Sequence, residues 1–260
     1  MKKSTAWKEV VWGGYQKDVI LPNIIRLISI KKSEAVLDLG CGTGSFSREF
    51  AAKGAKVIGV DVSSALIEAA QKIPAANVSY KAASADNLSF IKSGSVDKIT
   101  IILALQNIDN VDKVFKECAR VLKAGGKMLV VLNHPAFRVP KESSWGWDPA
   151  AEGVQYRRVD RYLSESKEKI QTHPSAGSGQ VPSAGSGRVP RPEDYTISFH
   201  RPLQFYFKLL RNSGFCIGRL EEWISNKKSE PGPRSKAEDV ARKEIPLFLF
   251  LEAVSPLSRS

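Results

Sequence analysis

"VLDLGCGTGSF", Val36 to Phe46, places an apolar run and Asp38 directly before three glycines at alternate positions, Gly40, Gly42 and Gly44. Each glycine loses more backbone freedom on folding than any other residue, so three so close together mark a bend that side chains would obstruct. A strand that ends in such a bend and passes into a helix brings backbone N–H groups and a positive helix dipole to one point. In open α/β sheets the crevice at the carboxyl ends of the strands is where ligands bind.

Outward from the bend, "EAVLDL" (Glu34–Leu39), "AKVIGV" (Ala55–Val60), "NVSYKA" (Asn77–Ala82), "VDKITIIL" (Val96–Leu103) and "GKMLVVLN" (Gly126–Asn133) read as strands. Several are nearly continuous apolar runs, as in parallel strands covered on both faces. "NVDKVFKECARVLKAGG" sets Val111, Val114, Phe115, Cys118 and Leu122 on one helical face and Lys113, Lys116, Glu117 and Arg120 on the other, with Gly125 and Gly126 as its stop. Short helices are expected after Gly44 and after Ser63 or Ser64, serine being a good N-cap. Alternating strands and helices imply a doubly wound, mostly parallel sheet with right-handed crossovers.

Past Asn133 the pattern breaks. An eight-residue unit, "PSAGSGQV" then "PSAGSGRV", is repeated from Pro174 and Pro182, too polar to order itself and expected as a flexible loop over about 172–193. Regular structure returns in "RPLQFYFKLLRNSGF", a helix with Pro202 in its first turn and Leu203, Tyr206, Phe207 and Leu210 on one face. "FCIGRLEEW" and "IPLFLFLEAV" add two strands, seven in all, and the segment between them leaves a further helix undecided. The expected organisation is a helical segment at 1–29 covering the ligand site, a binding core at 30–133, a cap insertion at 134–199, and a C-terminal helix and two strands at 200–260.

With 260 residues the chain can bury a large core without staples. Cys41, Cys118 and Cys216 are far apart and form no metal-binding spacing, so neither a disulfide framework nor a metal site is expected, and a reducing, cytoplasmic setting fits. No apolar run reaches the length of a membrane span. The net charge of +12 would draw anionic partners, nucleic acid among them, but the basic residues are spread along the chain without a long cationic block, which fits a solvated surface.

The dinucleotide fingerprint needs Gly-x-Gly-x-x-Gly, yet from Gly40 and Gly42 the last position is Ser45. "DLGCGTG" instead resembles the first motif of the class I S-adenosylmethionine-dependent methyltransferases, an acidic residue followed by Gly-x-Gly-x-Gly. That resemblance implies a Rossmann-like seven-stranded sheet, mostly parallel with an antiparallel last strand, and S-adenosylmethionine as cofactor. It also implies that Gly40, Cys41, Gly42 and Gly44 lie against the methionine half and that Asp38 orients the amino group. Asp61 ends the second strand in "VIGVDVS", where a carboxylate can accept both hydrogen bonds of a ribose diol, with Val62 beside it. The family often carries Asp-Ala-x-x-Leu after the third strand. Here "KAASADNLSF" has Ser84 in that place, so Ser84 with Ala85, or Asp86 from two positions on, is left to meet the adenine. Leu103 and Gln106 after the fourth strand are expected to complete the cofactor set, Tyr15 is expected to close over it from the N-terminal segment as aromatics do in similar enzymes, and "R-x-L-x-x-G-G" before the fifth strand is common in the small-molecule members.

Methyl transfer is an in-line displacement that needs an oriented acceptor, exclusion of water and, for some acceptors, a base. Over the ends of strands four and five stand Gln106, Asn107, Asn133 and His134. His134 is the first candidate base, since imidazole titrates near neutrality, and otherwise orders the loop. His200 is either a second polar wall or a neighbour of the Pro202 helix start, and His173 adjoins the repeat. In the insertion, Trp145, Trp147, Tyr156 and Tyr162 are expected as an apolar wall, with Arg157, Arg158 or Arg161 meeting a carboxylate or phosphate of the acceptor; a self-packed flap is the competing reading. The favoured acceptor is a small molecule. A nucleic-acid methyltransferase, RNA-directed or other, is the first alternative and would use the positive charge, but "ALQN" stands where the amino-methylating kind has Asn/Asp-Pro-Pro-aromatic, and neither Cys118 nor Cys216 is placed as the nucleophile of the cytosine C5 kind. A non-catalytic cofactor-binding module is the remaining alternative.

Overall fold

The computed structural model describes residues 14–148, 153–171 and 195–256. The Gly/Ser/Pro repeat, His173 and residues 1–13 lie outside them. A π-helical turn, Gln16–Ile20, runs into α1 (Leu21–Ile28), and then strands and helices alternate: β1 (Ala35–Leu39), α2 (Ser45–Ala52), β2 (Lys56–Asp61), α3 (Ser64–Gln71), β3 (Val78–Ala82), β4 (Val96–Ile102), α4 (Val111–Val121) and β5 (Leu122–Asn133). Two hairpins follow, β6 (Ser143–Trp147) with β7 (Gln155–Val159) and β8 (Ser166–Gln171) with β9 (Tyr195–His200). The chain then adds α5 (Leu203–Asn212), β10 (Cys216–Trp223), α6 (Ser235–Glu244) and β11 (Phe248–Val254).

The main sheet has the order β10-β11-β5-β4-β1-β2-β3. β1 to β5 are parallel, and β11 runs antiparallel between β5 and β10. This is the expected doubly wound, seven-stranded architecture with an antiparallel last strand. Side chains alternate between two buried layers, as a pleat of period two dictates. Leu37, Leu39, Val130, Leu132, Leu249 and Leu251 pack with Val114, Phe115 and Cys118 of α4 and Tyr206 and Leu210 of α5. Val36, Val57, Leu129, Val131 and Phe250 pack on the other face with Ile24 and Ile28 of α1 and Phe50 of α2. Each such fully buried aliphatic or aromatic side chain stabilises the fold by roughly 1.5–3 kcal/mol.

Three boundaries differ from the sequence reading. α4 stops at Val121, and Leu122, Gly125 and Gly126 already belong to β5. The helix ends early because Ser95 N–H takes the Val121 carbonyl and Gly94 N–H takes that of Arg120, drawing the chain out beside β4. Pro202 caps α5 rather than lying in its first turn, and the undecided segment before β11 does hold a helix, α6. Arg120 of the R-x-L-x-x-G-G motif is structural. It donates to the carbonyls of Ile91 and Leu88 at 2.9 and 2.8 Å and pairs with Glu117, tying the loop before β4 to α4.

Candidate active site

Strand order reverses at β1, with β2 and β3 on one side and β4 and β5 on the other. A crevice opens there at the carboxyl ends, and the glycine bend lies at its mouth. Gly40, Gly42 and Gly44 have φ of +70°, +55° and +74°. A Cβ on Gly40 would overlap the Cβ of Ala104, which follows β4, whereas one on Gly42 would meet nothing within 4 Å. Gly40 therefore lets two chain segments touch, and Gly42 leaves open space.

The amides of the three glycines and of Cys41 are not bare. Gly40 and Cys41 N–H both donate to the Val60 carbonyl at 2.7 and 3.0 Å, Gly44 N–H donates to Cys41 O at 2.9 Å, and Gly42 N–H donates to Asp61 Oδ2 at 2.9 Å. At the glycines the bend offers a ligand a surface free of side chains and not spare donors. Asp61 is half-buried at the end of β2, and its other oxygen accepts from Ser63 N–H at 2.9 Å. Each carboxylate oxygen is thus fixed by one amide and, with two acceptor sites per oxygen, keeps capacity for a ligand hydroxyl. Val62, next along, is 77% exposed, a large apolar surface beside that carboxylate. Ala83 N–H donates to Asp61 O at 2.9 Å, which sets the turn of Ser84, Ala85 and Asp86 beside it, Ser84 exposed and Asp86 half-buried.

Two residues of the first motif sit below the crevice instead of in it. Asp38 is buried, accepting from Ser47 Oγ at 2.6 Å and Thr100 Oγ1 at 2.9 Å. Burial raises its pKa to about 6, against the pull of those two hydroxyls. It props the bend through α2 and β4. The Cys41 side chain is also buried, turned toward Gly59 of β2, and burial pushes its thiol up. On the β4 side Leu103 holds a left-handed φ of +53°, an uncommon state for leucine, and its carbonyl accepts from Gln106 Nε2 at 2.9 Å. The buried Oε1 of Gln106 has no hydrogen-bond partner among the described residues. A buried acceptor left without a donor costs about 1–3 kcal/mol, so this atom favours a ligand N–H.

Neither candidate base stands in the crevice. His134 is buried; its Nε2 lies 2.6 Å from Glu222 Oε1, its Nδ1 accepts from Ala136 N–H at 3.2 Å, and its ring lies against Phe137. That pattern places the proton on Nε2, and burial lowers the pKa while Glu222 opposes the shift. His134 orders the turn after β5. His200 is buried as well, with Nε2 2.7 Å from the Tyr162 carbonyl. Asn107 Nδ2 donates to Ile197 O at 2.8 Å, so it anchors β9 over the turn after β4 instead of facing an acceptor. Asn133, half-buried at the end of β5, has no side-chain partner among the described residues.

The insertion separates the expected wall. Trp145 and Arg157 line a cavity of about 260 Å³ with Tyr15, Phe137 and Arg138. Trp147 instead packs under Arg234, Tyr156 is 46% exposed, and the Tyr162 hydroxyl accepts from Leu203 N–H at 3.0 Å at the start of α5. Arg158 pairs with Asp160 at 2.6 Å and Arg161 reaches Glu142 at 4.0 Å, both largely exposed and turned outward. Within β7 Arg157 is half-buried and Arg158 exposed, the alternation a period-two strand produces, and the arginine run alone could not tell the two apart. Tyr15 is buried, with its hydroxyl 3.3 Å from Ser225 Oγ and its ring edge-on to Phe248. Arg138 and Arg201 escaped sequence reasoning. Arg201 is buried and donates to the carbonyls of Ile108 and Asp109 at 2.9 and 2.7 Å. Arg138 had one usable signal, its place five residues after the end of β5. Among the described residues there is no cluster of three or more metal-ligating side chains and no helix long and apolar enough to cross a membrane.

Comparison with known proteins agrees with this geometry. The methyltransferase domain family matches residues 37–130, which span the bend, Asp61 and β4. A ubiquinone/menaquinone biosynthesis C-methyltransferase of Haemophilus ducreyi is 31% identical over 160 residues, covering 56% of this chain and 60% of the relative. A ubiquinone biosynthesis O-methyltransferase of Xanthomonas oryzae is 32% identical over 125 residues, covering 45% and 52%. The chain thus spans about three fifths or less of the length of these curated relatives. An S-adenosylmethionine dependent methyltransferase of Mesorhizobium loti superposes with a TM-score of 0.68 at 25% identity, over 93% of this chain and 100% of that one.

Proposed function

The chain carries a class I S-adenosylmethionine-dependent methyltransferase domain, and on that premise we propose that it transfers a methyl group to a small-molecule acceptor bearing an anionic group. The observation that carries this reading is the open space over Gly42, bordered by the amide-fixed Asp61 carboxylate and the exposed Val62.

The residues fit the cofactor. Asp61 would hold the ribose hydroxyls, Val62 and the turn of Ser84 to Asp86 would flank the adenine, and the orphaned Gln106 Oε1 would accept from the ammonium group. Bound S-adenosylmethionine supplies the activated methyl. The chain's part is orientation and shielding: Gly42 admits the ligand against backbone, Leu103 and Gln106 floor the crevice at β4, and Tyr15 closes it from above β11. With both histidines engaged elsewhere, rate enhancement comes from placing the acceptor for in-line attack and excluding water. Asn133 is the polar side chain left to orient the acceptor at β5.

A screen of metabolite extract for transfer of a labelled methyl group, run with wild type and Asp61→Ala, tests the proposal. Wild type should label a small molecule, and Asp61→Ala should weaken cofactor affinity by about 1–3 kcal/mol, the cost of losing charge-assisted hydrogen bonds. Unchanged affinity in calorimetry would remove Asp61 from the cofactor site, and labelling of RNA alone would overturn the small-molecule acceptor.

A further inference from the structure

The cavity beside Tyr15 has a charge imbalance that the fold does not explain. It sits at the carboxyl edge of β5, where His134 N–H bonds Leu247 O at 2.8 Å just before β11, and Leu247 lines it. β4, with Leu103 and Gln106 beyond its end, is the next strand past β5, roughly 5–10 Å away at the usual strand spacing. Three guanidinium groups and one carboxylate border the space: Arg138, Arg157, Arg242 and Glu238. Arg242 is matched by Glu238 at 3.8 Å and also donates to Ser229 Oγ at 3.3 Å. Arg157 donates to Phe137 O and Ser143 Oγ at 2.8 and 2.7 Å and lies over the Trp145 ring at 5.2 Å, so neutral groups hold it in place without cancelling its charge. The Arg138 guanidinium makes no hydrogen bond or ion pair among the described residues. Burial holds both Arg138 and Arg157 below the usual arginine range, and Arg138 lowers Arg157 further by repulsion. Two like charges held together and partly withdrawn from water are costly unless an anion joins them.

We infer that this cavity anchors the anionic group of the methyl acceptor, a carboxylate or phosphate on an aromatic ring, with Arg138 as the residue that fixes it and Trp145 and Tyr15 flanking the ring. The assignment to the acceptor rests on the transferase reading above. A volume of about 260 Å³ suits a single ring with one substituent group, and guanidinium forks match either oxyanion. Arg157 supplies the second charge, and its stacking on Trp145 sets the plane of the site.

The test is direct binding to the full chain, followed by calorimetry and thermal shift, with benzoate, phenyl phosphate and the neutral benzamide as probes. Benzoate or phenyl phosphate should bind at least tenfold tighter than benzamide, the factor expected of a charge-assisted pair. The better of the two identifies the oxyanion. Arg138→Gln should abolish the preference while S-adenosylhomocysteine still binds as in wild type, and Arg158→Gln, which alters an outward ion pair, should keep it. Should Arg138→Gln fail to fold, Arg157→Gln carries the same expectation. Equal binding of benzamide, or a preference that survives loss of Arg138, overturns the inference. Anion binding without any nucleoside binding would sink the transferase reading while leaving an anion site, and the reverse result would do the opposite.

Discussion

Replacing Gly42 with alanine separates what the bend does for the fold from what it does for a ligand. At φ +55° an L-residue bears a left-handed penalty of about 1–2 kcal/mol, and since a Cβ there meets nothing within 4 Å, no overlap adds to it. Gly42→Ala should therefore lower stability by only about 1–2 kcal/mol in urea unfolding. The same methyl would project into the space assigned to the cofactor, where overpacking typically costs about 1–3 kcal/mol. Calorimetric affinity for S-adenosylhomocysteine should fall by roughly 5- to 150-fold. Gly40→Ala is the contrasting case: strain at φ +70° combines with overlap on Ala104, for a stability loss of about 2–5 kcal/mol. Adding Ala104→Gly should recover the overlap part and leave the strain, a coupling that a double-mutant cycle isolates. Wild-type nucleoside affinity in Gly42→Ala would refute the placement of the cofactor over the bend. A stability loss above about 4 kcal/mol in the same variant would show that the space is not open.

Asp38 and His134 give two further tests. Because burial raises the folded-state pKa of Asp38 to about 6 from an unfolded value near 3.9, protonation favours the folded state. Its contribution is present in full below about pH 4 and is lost as pH rises through about 6, some 3 kcal/mol in all. The stability of wild type relative to Asp38→Asn should fall by that order between pH 4 and 7, and a flat difference would mean the carboxyl is solvated. His134→Gln should cost about 1–2 kcal/mol of stability through the Glu222 contact and leave the pH dependence of kcat/KM between pH 6 and 8 unchanged. A hundredfold rate loss with a vanished titration limb would restore His134 as the base.

Much of this architecture was legible because its signals are local and repeated. Apolar runs of strand length, the 3.6-residue apolar face of α4 and the serine cap of α3 each act within a few residues, and together they prescribe the strand-helix alternation. The glycine bend and Asp61 were legible for the same reason, since both lie at strand ends where backbone geometry limits the choice of residue. The acceptor side was not. Whether a histidine after a strand faces a crevice or a neighbouring strand depends on Glu222, which is distant in sequence and adjacent only once β10 is in place. The same holds for Asn107, captured by β9, and for Arg157 against Arg158, whose opposite orientations follow from a hairpin register no periodicity in the sequence announced. Asp38 is a milder case: its motif was read correctly, but Thr100 and Ser47, which draw it inward, come from another strand and a helix.

β11 follows β10 in the chain yet lies inside it in the sheet, hydrogen-bonded to β5 on one flank and to β10 on the other. As the polypeptide emerges from the ribosome, the valine- and leucine-rich flank of β5 therefore waits, unpaired, until Phe248 to Val254 have been made. β10 has no seat before then. Closure of the sheet is a late, long-range zippering event, and during that interval the nascent molecule presents a bare ladder to which another copy could bond.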